Sequence, residues 1–348
     1  MDLDLRKQRI LSAVVQDYVL TAEPVGSQIL VERYALGVKS ATVRNELAEL
    51  SERGFLRQPH TSAGRVPSDR GYRFYVNRLM PLTPLGRPEA QRIQQTLLSV
   101  ESEFDAILRK TCQLLNQLTK LPAVVTSPEA PDDTRLRQIF LSPTAADKTL
   151  LMLLFSTGRT EHRLLPDVAL SATEALTLAN ALNARLRDKP ISELRRIAQE
   201  SELPPVELAG KARLWQRLVR ELVQVMQSIT ENTPVFVEGT RSVLAQPEFR
   251  DVERLSQLFV ILQERAAMLE LLHHEAETEL AVRIGEELGR PELACFAVVS
   301  SPYFVGTRER GSIGVIGPTR MDYSVAAVSV RFLASTLSEL LTQLAVSA

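Results

Sequence analysis

The stretch Phe55-Leu56-Arg57-Gln58-Pro59-His60-Thr61-Ser62-Ala63-Gly64-Arg65-Val66-Pro67 decides how the first eighty residues are read. Two short runs, Phe55 to Gln58 and Arg65 to Pro67, flank a polar turn that ends in glycine, the pattern of a strand-loop-strand ribbon. Upstream, Ile10, Leu11, Val14, Val15 and Tyr18 recur at helical spacing and predict a helix over 5–20. Glu23-Pro24-Val25-Gly26 breaks it, and Ser27 is placed to cap a short second helix carrying Ile29, Leu30 and Tyr34. Gly37 supplies a turn; Ser40 caps a third helix that runs to about Arg53 and stops at Gly54. Three helices with tight turns followed by a ribbon predict a winged helix-turn-helix.

At about 100° per residue, Val43, Leu47 and Leu50 of the third helix form one stripe, and Ala41, Asn45 and Ala48 lie opposite. Thr42 and Arg44 flank that second face. Small residues allow close approach to a major groove, while asparagine and arginine bond adenine and guanine edges bidentately. Ala41, Thr42, Arg44 and Asn45 are therefore the expected base readers. Ser40, Arg57, His60, Thr61, Ser62, Arg65, Arg70 and Arg73 are the expected donors to the phosphate backbone or the minor groove. By itself the helix fits an ordinary exposed face equally well; the ribbon that follows is what favours DNA. A final helix of the head, capped by Ser68, has Tyr72, Tyr75, Val76 and Leu79 as its apolar seam.

Charge agrees locally. The whole chain carries a net charge of −1, but residues 1–80 hold 12 Lys/Arg against 9 Asp/Glu. Five arginines and a single acid, Asp69, lie between Arg57 and Arg78. A local cationic excess over a neutral body is the footprint of a phosphate-contacting surface.

Beyond the head, Pro81-Leu82-Thr83-Pro84-Leu85-Gly86-Arg87-Pro88 reads as a linker. Ile93, Leu97, Val100, Phe104, Ile107, Leu114, Leu118 and Leu121 keep a near-heptad step, interrupted by Thr111, and predict one long helix. Strands are expected at 123–125, 136–141, 150–155, 295–300 and 312–316, with a closing helix over 322–345. Between the two strand sets lies a mostly helical stretch, with helices at 172–187, 190–201 and 206–231 and a brief strand at 235–237.

Enzymatic motifs are missing. Gly311-Ser312-Ile313-Gly314-Val315-Ile316-Gly317 has GxxGxxG spacing rather than the dinucleotide fingerprint and is better read as a strand. His273-His274-Glu275 lacks the second histidine of a zinc-protease helix, because position 278 is Thr. Cys112 and Cys295 have no metal-like spacing. The longest apolar run, Leu150 to Phe155, is far short of the ~20 residues that span a bilayer, so no membrane association is expected. A non-enzymatic, cytoplasmic chain with no cofactor and no metal is the expectation.

Four strings carry a family resemblance: Ser40-Ala41-Thr42-Val43-Arg44-Asn45-Glu46, the Pro59–Pro67 segment, Gly71-Tyr72-Arg73-Phe74-Tyr75-Val76, and Gly314-Val315-Ile316-Gly317-Pro318-Thr319-Arg320-Met321-Asp322-Tyr323. Together they resemble the heat-inducible transcription repressor HrcA family, in order and at both ends of the chain. The resemblance implies a DNA-binding repressor of chaperonin operons that reads an inverted-repeat CIRCE operator as a homodimer and depends on the chaperonin GroEL for activity. It also implies an α+β chain with a winged helix-turn-helix head, a GAF-like body and an inserted dimerisation domain. On that layout the head is 1–80, the linker 81–88, the GAF-like domain 89–167 with 251–348, and the insertion 168–250. Leu182, Leu186, Trp215, Leu218 and Leu222 are the residues expected to include the dimer surface. A small-molecule-sensing regulator that uses the GAF-like body is the alternative reading.

Overall fold

A computed structural model describes residues 3–61, 63–100, 104–128, 134–145, 147–156, 160–191, 193–194, 196, 210–231, 234–273, 279–306 and 309–347. It is an α+β chain. Helix α1 (Leu5–Thr21) begins at Asp4, whose carboxylate accepts from the Lys7 amide at 2.9 Å, one of the donors a first turn leaves unpaired. Ile10, Leu11, Val14 and Val15 of its inner face are fully buried. Helices α2 (Ser27–Arg33) and α3 (Ser40–Glu52) follow, and Gly54, at φ 76°, turns the chain out of α3. Strands β1 (Leu56–Arg57) and β2 (Val66–Pro67) pair antiparallel, with Leu56 opposite Pro67 and Arg57 opposite Val66.

The ribbon is tied back to the helices. Val25 and Arg65 exchange both backbone hydrogen bonds at 2.9 Å. A Cβ on Gly64 would lie 2.5 Å from the Val25 carbonyl atoms, so the bridge forms only because position 64 has no side chain. Helix α4 (Asp69–Phe74) is capped by Ser68, whose hydroxyl accepts from the Gly71 amide at 3.1 Å and donates to the Gly54 carbonyl at 2.6 Å. It continues into a π turn at Tyr75–Leu79 rather than the regular helix that the apolar seam predicts.

The long helix expected across 93–121 is two helices, α5 (Arg87–Leu98) and α6 (Phe104–Thr119). At the end of α5 the Ser99 hydroxyl donates to the Thr96 carbonyl at 2.9 Å and the Val100 amide bends back to Leu97. The apolar step survives the break because Ile93 and Leu97 of α5 and Ile107, Leu108 and Leu115 of α6 bury into the same core. Thr111, the polar interruption, is fully buried and donates to the Ile107 carbonyl at 2.8 Å.

Five antiparallel strands form the central sheet: β3 (Ala123–Thr126), β7 (Val235–Glu238), β8 (Ala281–Ile284), β9 (Phe296–Val305) and β10 (Glu309–Pro318), in the order β7-β3-β10-β9-β8. Its two faces alternate residue by residue, as pleating requires. Val125, Val299, Ile313 and Val315 pack with α6 and the closing helix α11 (Tyr323–Ser347). Val124, Val298 and Ile316 pack with α9 (Val252–Gln263) and α10 (Arg265–Leu272). The glycines of the 311–317 string lie inside β10. Cβ atoms there would press on the Tyr303 ring, on Leu272 and Ser300, and on Leu121, so close packing of a strand accounts for them.

A second sheet stands apart. Strands β4 (Leu136–Ala145), β5 (Lys148–Phe155) and β6 (Thr160–Pro166) form a three-stranded antiparallel sheet with a core of its own, closed by α7 (Ala172–Leu186) and α8 (Ala212–Glu231). This moves the boundaries read from sequence. The strands at 136–155 do not join the sheet of β3, and the strand at 235–237 is not part of the insertion, because β7 pairs with β3. The chain leaves the central sheet after Thr126 and re-enters it at Val235. An apolar run announces a strand but not its partner. The described part of the segment expected as a helix at 190–201 is residues 190, 191, 193, 194 and 196; its remainder, and the start of the 206–231 helix, lie outside the described residues.

Among the described residues one helix, Tyr323–Leu344 within α11, is long and apolar enough to cross a membrane. Its residues Ala327, Val330, Leu333, Leu337 and Leu341 are at most 4% exposed in the core beside β9. That burial makes it the core helix of a packed body.

Candidate nucleic-acid interface

The sequence of α3 sorts its residues by periodicity, and the fold obeys. Val43, Leu47 and Leu50 are buried, while Ala41, Arg44 and Asn45 are exposed and Thr42 is half-buried. Ser40, at the start of the helix, shares a 2.9 Å hydroxyl–hydroxyl hydrogen bond with Ser27 at the start of α2, which fixes the angle between the two helices.

A groove of about 440 Å³ joins this face to the ribbon. Arg44 from α3, Ser27 and Gln28 from α2, and Gln58, Thr61 and Arg65 from the ribbon line it. The Gln58 amide donates to the carbonyls of Thr61 at 2.8 Å and Ala63 at 3.0 Å, which braces the loop from inside. Gln58 was not among the residues singled out from sequence, and only the loop's closed shape gives it a role. Arg57, His60 and Thr61 are exposed. Ser62 lies outside the described residues. Arg65 Nε donates to Ser51 Oγ at 2.8 Å, so its guanidinium is held against the C-terminal end of α3.

Acids that would repel phosphate are gathered elsewhere. Lys7, itself buried, pairs with Asp4 at 2.9 Å, Glu46 at 3.0 Å and Glu49 at 3.1 Å. Hydrogen bonds that the Lys7 ammonium donates to these three carboxylates, that of Asp4 foremost, hold it well above the ordinary lysine range. Among the described residues no carboxylate pairs with Arg44, Arg57 or Arg65. The face therefore carries cations while its neighbouring acids are neutralised on the α1 side.

Two of the expected phosphate donors are placed differently. Arg70 stacks over the Phe55 ring, 4.7 Å from its centroid, and donates to the Arg53 carbonyl at 3.0 Å. It is exposed, and these two contacts hold it against the start of the ribbon. Arg73 forms a two-pronged pair with Glu287 and donates to the Val282 carbonyl of β8. Its guanidinium is committed to Glu287 and β8 of the body; helical periodicity alone had left it pointing outward.

Similarity to known proteins agrees with this architecture. The family model described as the HrcA protein C terminal domain matches residues 105–326. The chain belongs to the HrcA family. A Moorella thermoacetica protein named heat-inducible transcription repressor HrcA is 38% identical over 345 residues, covering 99% of each chain. A protein of the same name from Symbiobacterium thermophilum is 38% identical over 341 residues, 97% of this chain and 98% of its own. A crystal structure of a protein described only as hypothetical superposes with a TM-score of 0.68 at 24% identity, over 99% of this chain and all of that one, which shows a shared fold. The HrcA string at 314–323 now has a physical role. Its Arg320, 8% exposed, forks onto Glu248, donates to Gln246 Oε1 at 2.9 Å and reaches the Val19 carbonyl of α1 at 2.9 Å.

The residues expected at the dimer surface are not at a surface. Leu182, Leu186, Trp215, Leu218 and Leu222 are all 5% exposed or less and form the core between α7, α8 and the three-stranded sheet. They were chosen for apolar periodicity, which marks burial without saying against what. Among the described residues, exposed apolar side chains of this unit are Leu176 on α7 and a group on the other side of its sheet. There Phe140 stands across from Met152 and His162, and Leu150 across from Leu164. Phe140 is 46% exposed and Leu164 48%.

Proposed function

We propose that this chain is a heat-inducible transcription repressor whose N-terminal head acts as a winged helix-turn-helix on an inverted-repeat operator. The groove that brings Arg44 of α3 to Gln58, Thr61 and Arg65 of the ribbon carries this reading. It combines a helix face narrow enough for a major groove with a cationic wing at its side. Arg44 and Asn45 read base edges, with Ala41 and Thr42 allowing close approach. Ser40, Arg57, His60, Thr61 and Arg65 hold the backbone.

A twofold dimer presents two such heads to a palindromic site, with half-site centres near whole multiples of about 10–10.5 base pairs. The outer face of β4–β6, with Phe140, Met152 and Leu164, is the surface that seats the second copy, since an apolar face of this kind is self-complementary about a twofold axis. The five-stranded sheet flanked by helices serves as the GAF-like body that sets head and insertion in place. The protein works in the cytoplasm and performs no catalysis.

Chaperonin dependence enters as mass action. Only the folded dimer holds the operator, so a chaperonin of the GroEL type that raises the folded fraction raises repression, and heat that diverts it to other clients releases the operon. The testing experiment is a gel shift of the full chain on a chaperonin-operon inverted repeat against random duplex, across salt. Preference for the repeat that persists as salt rises is the expected result. Equal affinity for both duplexes at every salt concentration overturns the reading.

A further inference from the structure

Head and body share a core in which the Tyr72 and Tyr323 rings meet at 5.7 Å. Apolar burial is non-directional, so it holds the two together more strongly than it fixes their angle. One directional contact, from Arg320 to the Val19 carbonyl, pins the end of α1. A single point leaves rotation about it free, and a grip on another helix removes that freedom.

Helix α4 supplies the grip. Asp69 and Arg73 stand four residues apart, about one turn, and so share a face. Both reach one short stretch of the body, residues 282–287. Strand β8 is an edge among the described strands, so its outer backbone groups need other partners. The Val282 carbonyl accepts from Arg73, and the Ile284 amide donates to Glu287 Oε2 at 2.9 Å. Arg73 and Glu287 are themselves a two-pronged ion pair. A donor and an acceptor joined in this way stand in for one residue of a sixth strand. In the turn that follows, the Glu286 amide donates to Asp69 Oδ2 at 3.4 Å. Gly285, at φ 55°, allows the approach, since a Cβ there would collide with the Asp69 carboxylate.

Whatever holds α4 also holds α3. The Ser68 hydroxyl joins the Gly71 amide to the Gly54 carbonyl just beyond α3, and the Phe55 and Phe74 rings meet edge-on at 5.4 Å.

We propose that Asp69 and Arg73, locked onto residues 282–287, are positioning residues that fix the angle of α3 to the body. They thereby set the spacer length that the dimer accepts between operator half-sites, an inference that rests on the twofold operator reading above. With both heads rigidly set, a spacer changed by two base pairs turns one half-site about 70° out of register, at 10–10.5 base pairs per turn.

Competition gel shifts of the full chain test this on inverted repeats with spacers two base pairs longer or shorter, and on a single half-site. The natural chain should favour one spacer about tenfold over its neighbours. Arg73→Ala should reduce that preference to about threefold or less, with half-site affinity and salt slope unchanged. Glu287→Gln keeps an acceptor for Ile284 but not the ion pair; it should broaden spacer preference at unchanged melting temperature and carries the test if Arg73→Ala unfolds. Spacer preference equal to the natural chain's in both variants overturns the proposal. So does an Arg73→Ala protein with weaker half-site binding and a salt slope lower by about one, which makes Arg73 a phosphate contact instead. A natural chain that does not distinguish the repeat from random duplex overturns the operator reading itself, and the role of the interlock with it.

Discussion

Arg320 Nη1 donates to the carbonyl of Val19 at 2.9 Å, joining the loop before the last helix to the last turn of the first across 301 positions of sequence. The same guanidinium forks onto Glu248, and the Tyr72 and Tyr323 rings meet at 5.7 Å beside it. Head and body share one hydrophobic core, from Leu3 to Leu341. The arginine is the polar rivet through it. Arg320→Ala leaves Glu248 without its partner and should cost about 3 kcal/mol of stability, read by urea unfolding. Arg320→Lys should recover only part, because an ammonium cannot fork. Equal stability of all three proteins would show that the rivet is ornamental.

Asn45→Ala should lower operator preference over random duplex by about 1–3 kcal/mol and relax the sequence requirement at one base pair per half-site. Arg57→Ala should instead weaken binding to every duplex and reduce the salt slope by about one. A competition gel shift across salt separates the two effects; identical behaviour of both variants would mean that the reading face has been misassigned.

Trp215 and Phe140 make opposite predictions. Trp215 is 1% exposed inside the insertion, so Trp215→Ala should cost about 3–5 kcal/mol and unfold that unit. Phe140→Asp, on the outer sheet face, should keep the fold and dissociate the dimer. Circular dichroism with sedimentation equilibrium checks both, and a Phe140→Asp protein that remains dimeric would move the interface elsewhere.

Acid should loosen the insertion at Glu174. Lys211 and the Ser171 cap hold this carboxyl at about 2, against an ordinary 4.5. A depressed folded value contributes stability that is fully present above 4.5 and is lost as pH falls toward 2. Glu174→Gln should therefore flatten the pH dependence of unfolding within that window and leave it unchanged at neutral pH. A variant with the same acid limb as the wild type would contradict this.

Gly71 is a steric prediction. A Cβ there would lie 2.1 Å from the Phe55 carbonyl oxygen, a backbone atom that cannot swing aside. Gly71→Ala should push α4 off the ribbon and lower both stability and operator affinity, measured by thermal unfolding and gel shift together. Unchanged melting would show that the helix tolerates the shift.

Local rules made the head legible. The α3 stripe of Val43, Leu47 and Leu50, the Ser68 cap and the Gly64 turn all depend on neighbours a few residues away, and periodicity and capping report these directly. Lys7, Arg73 and Arg320 were not legible, because apart from Asp4 beside Lys7 the partners that decide their placement lie from 39 to 301 residues distant, and nothing local distinguishes a paired cation from a solvated one. The insertion failed for a related reason. Leu182 and Trp215 look alike on a helical wheel whether they bury against their own sheet or a second copy.

The sequence by itself determined the elements of the head, the exposed face of α3, and, through its four strings, the family. Each rests on short-range spacing or on residue identity. Tertiary structure decided which strands share a sheet, which arginines stay exposed beside α3 and which fasten head to body, and where the insertion is still apolar outside. Those are questions of partner choice, and a partner is fixed by the packing of distant segments rather than by the pattern within any one of them.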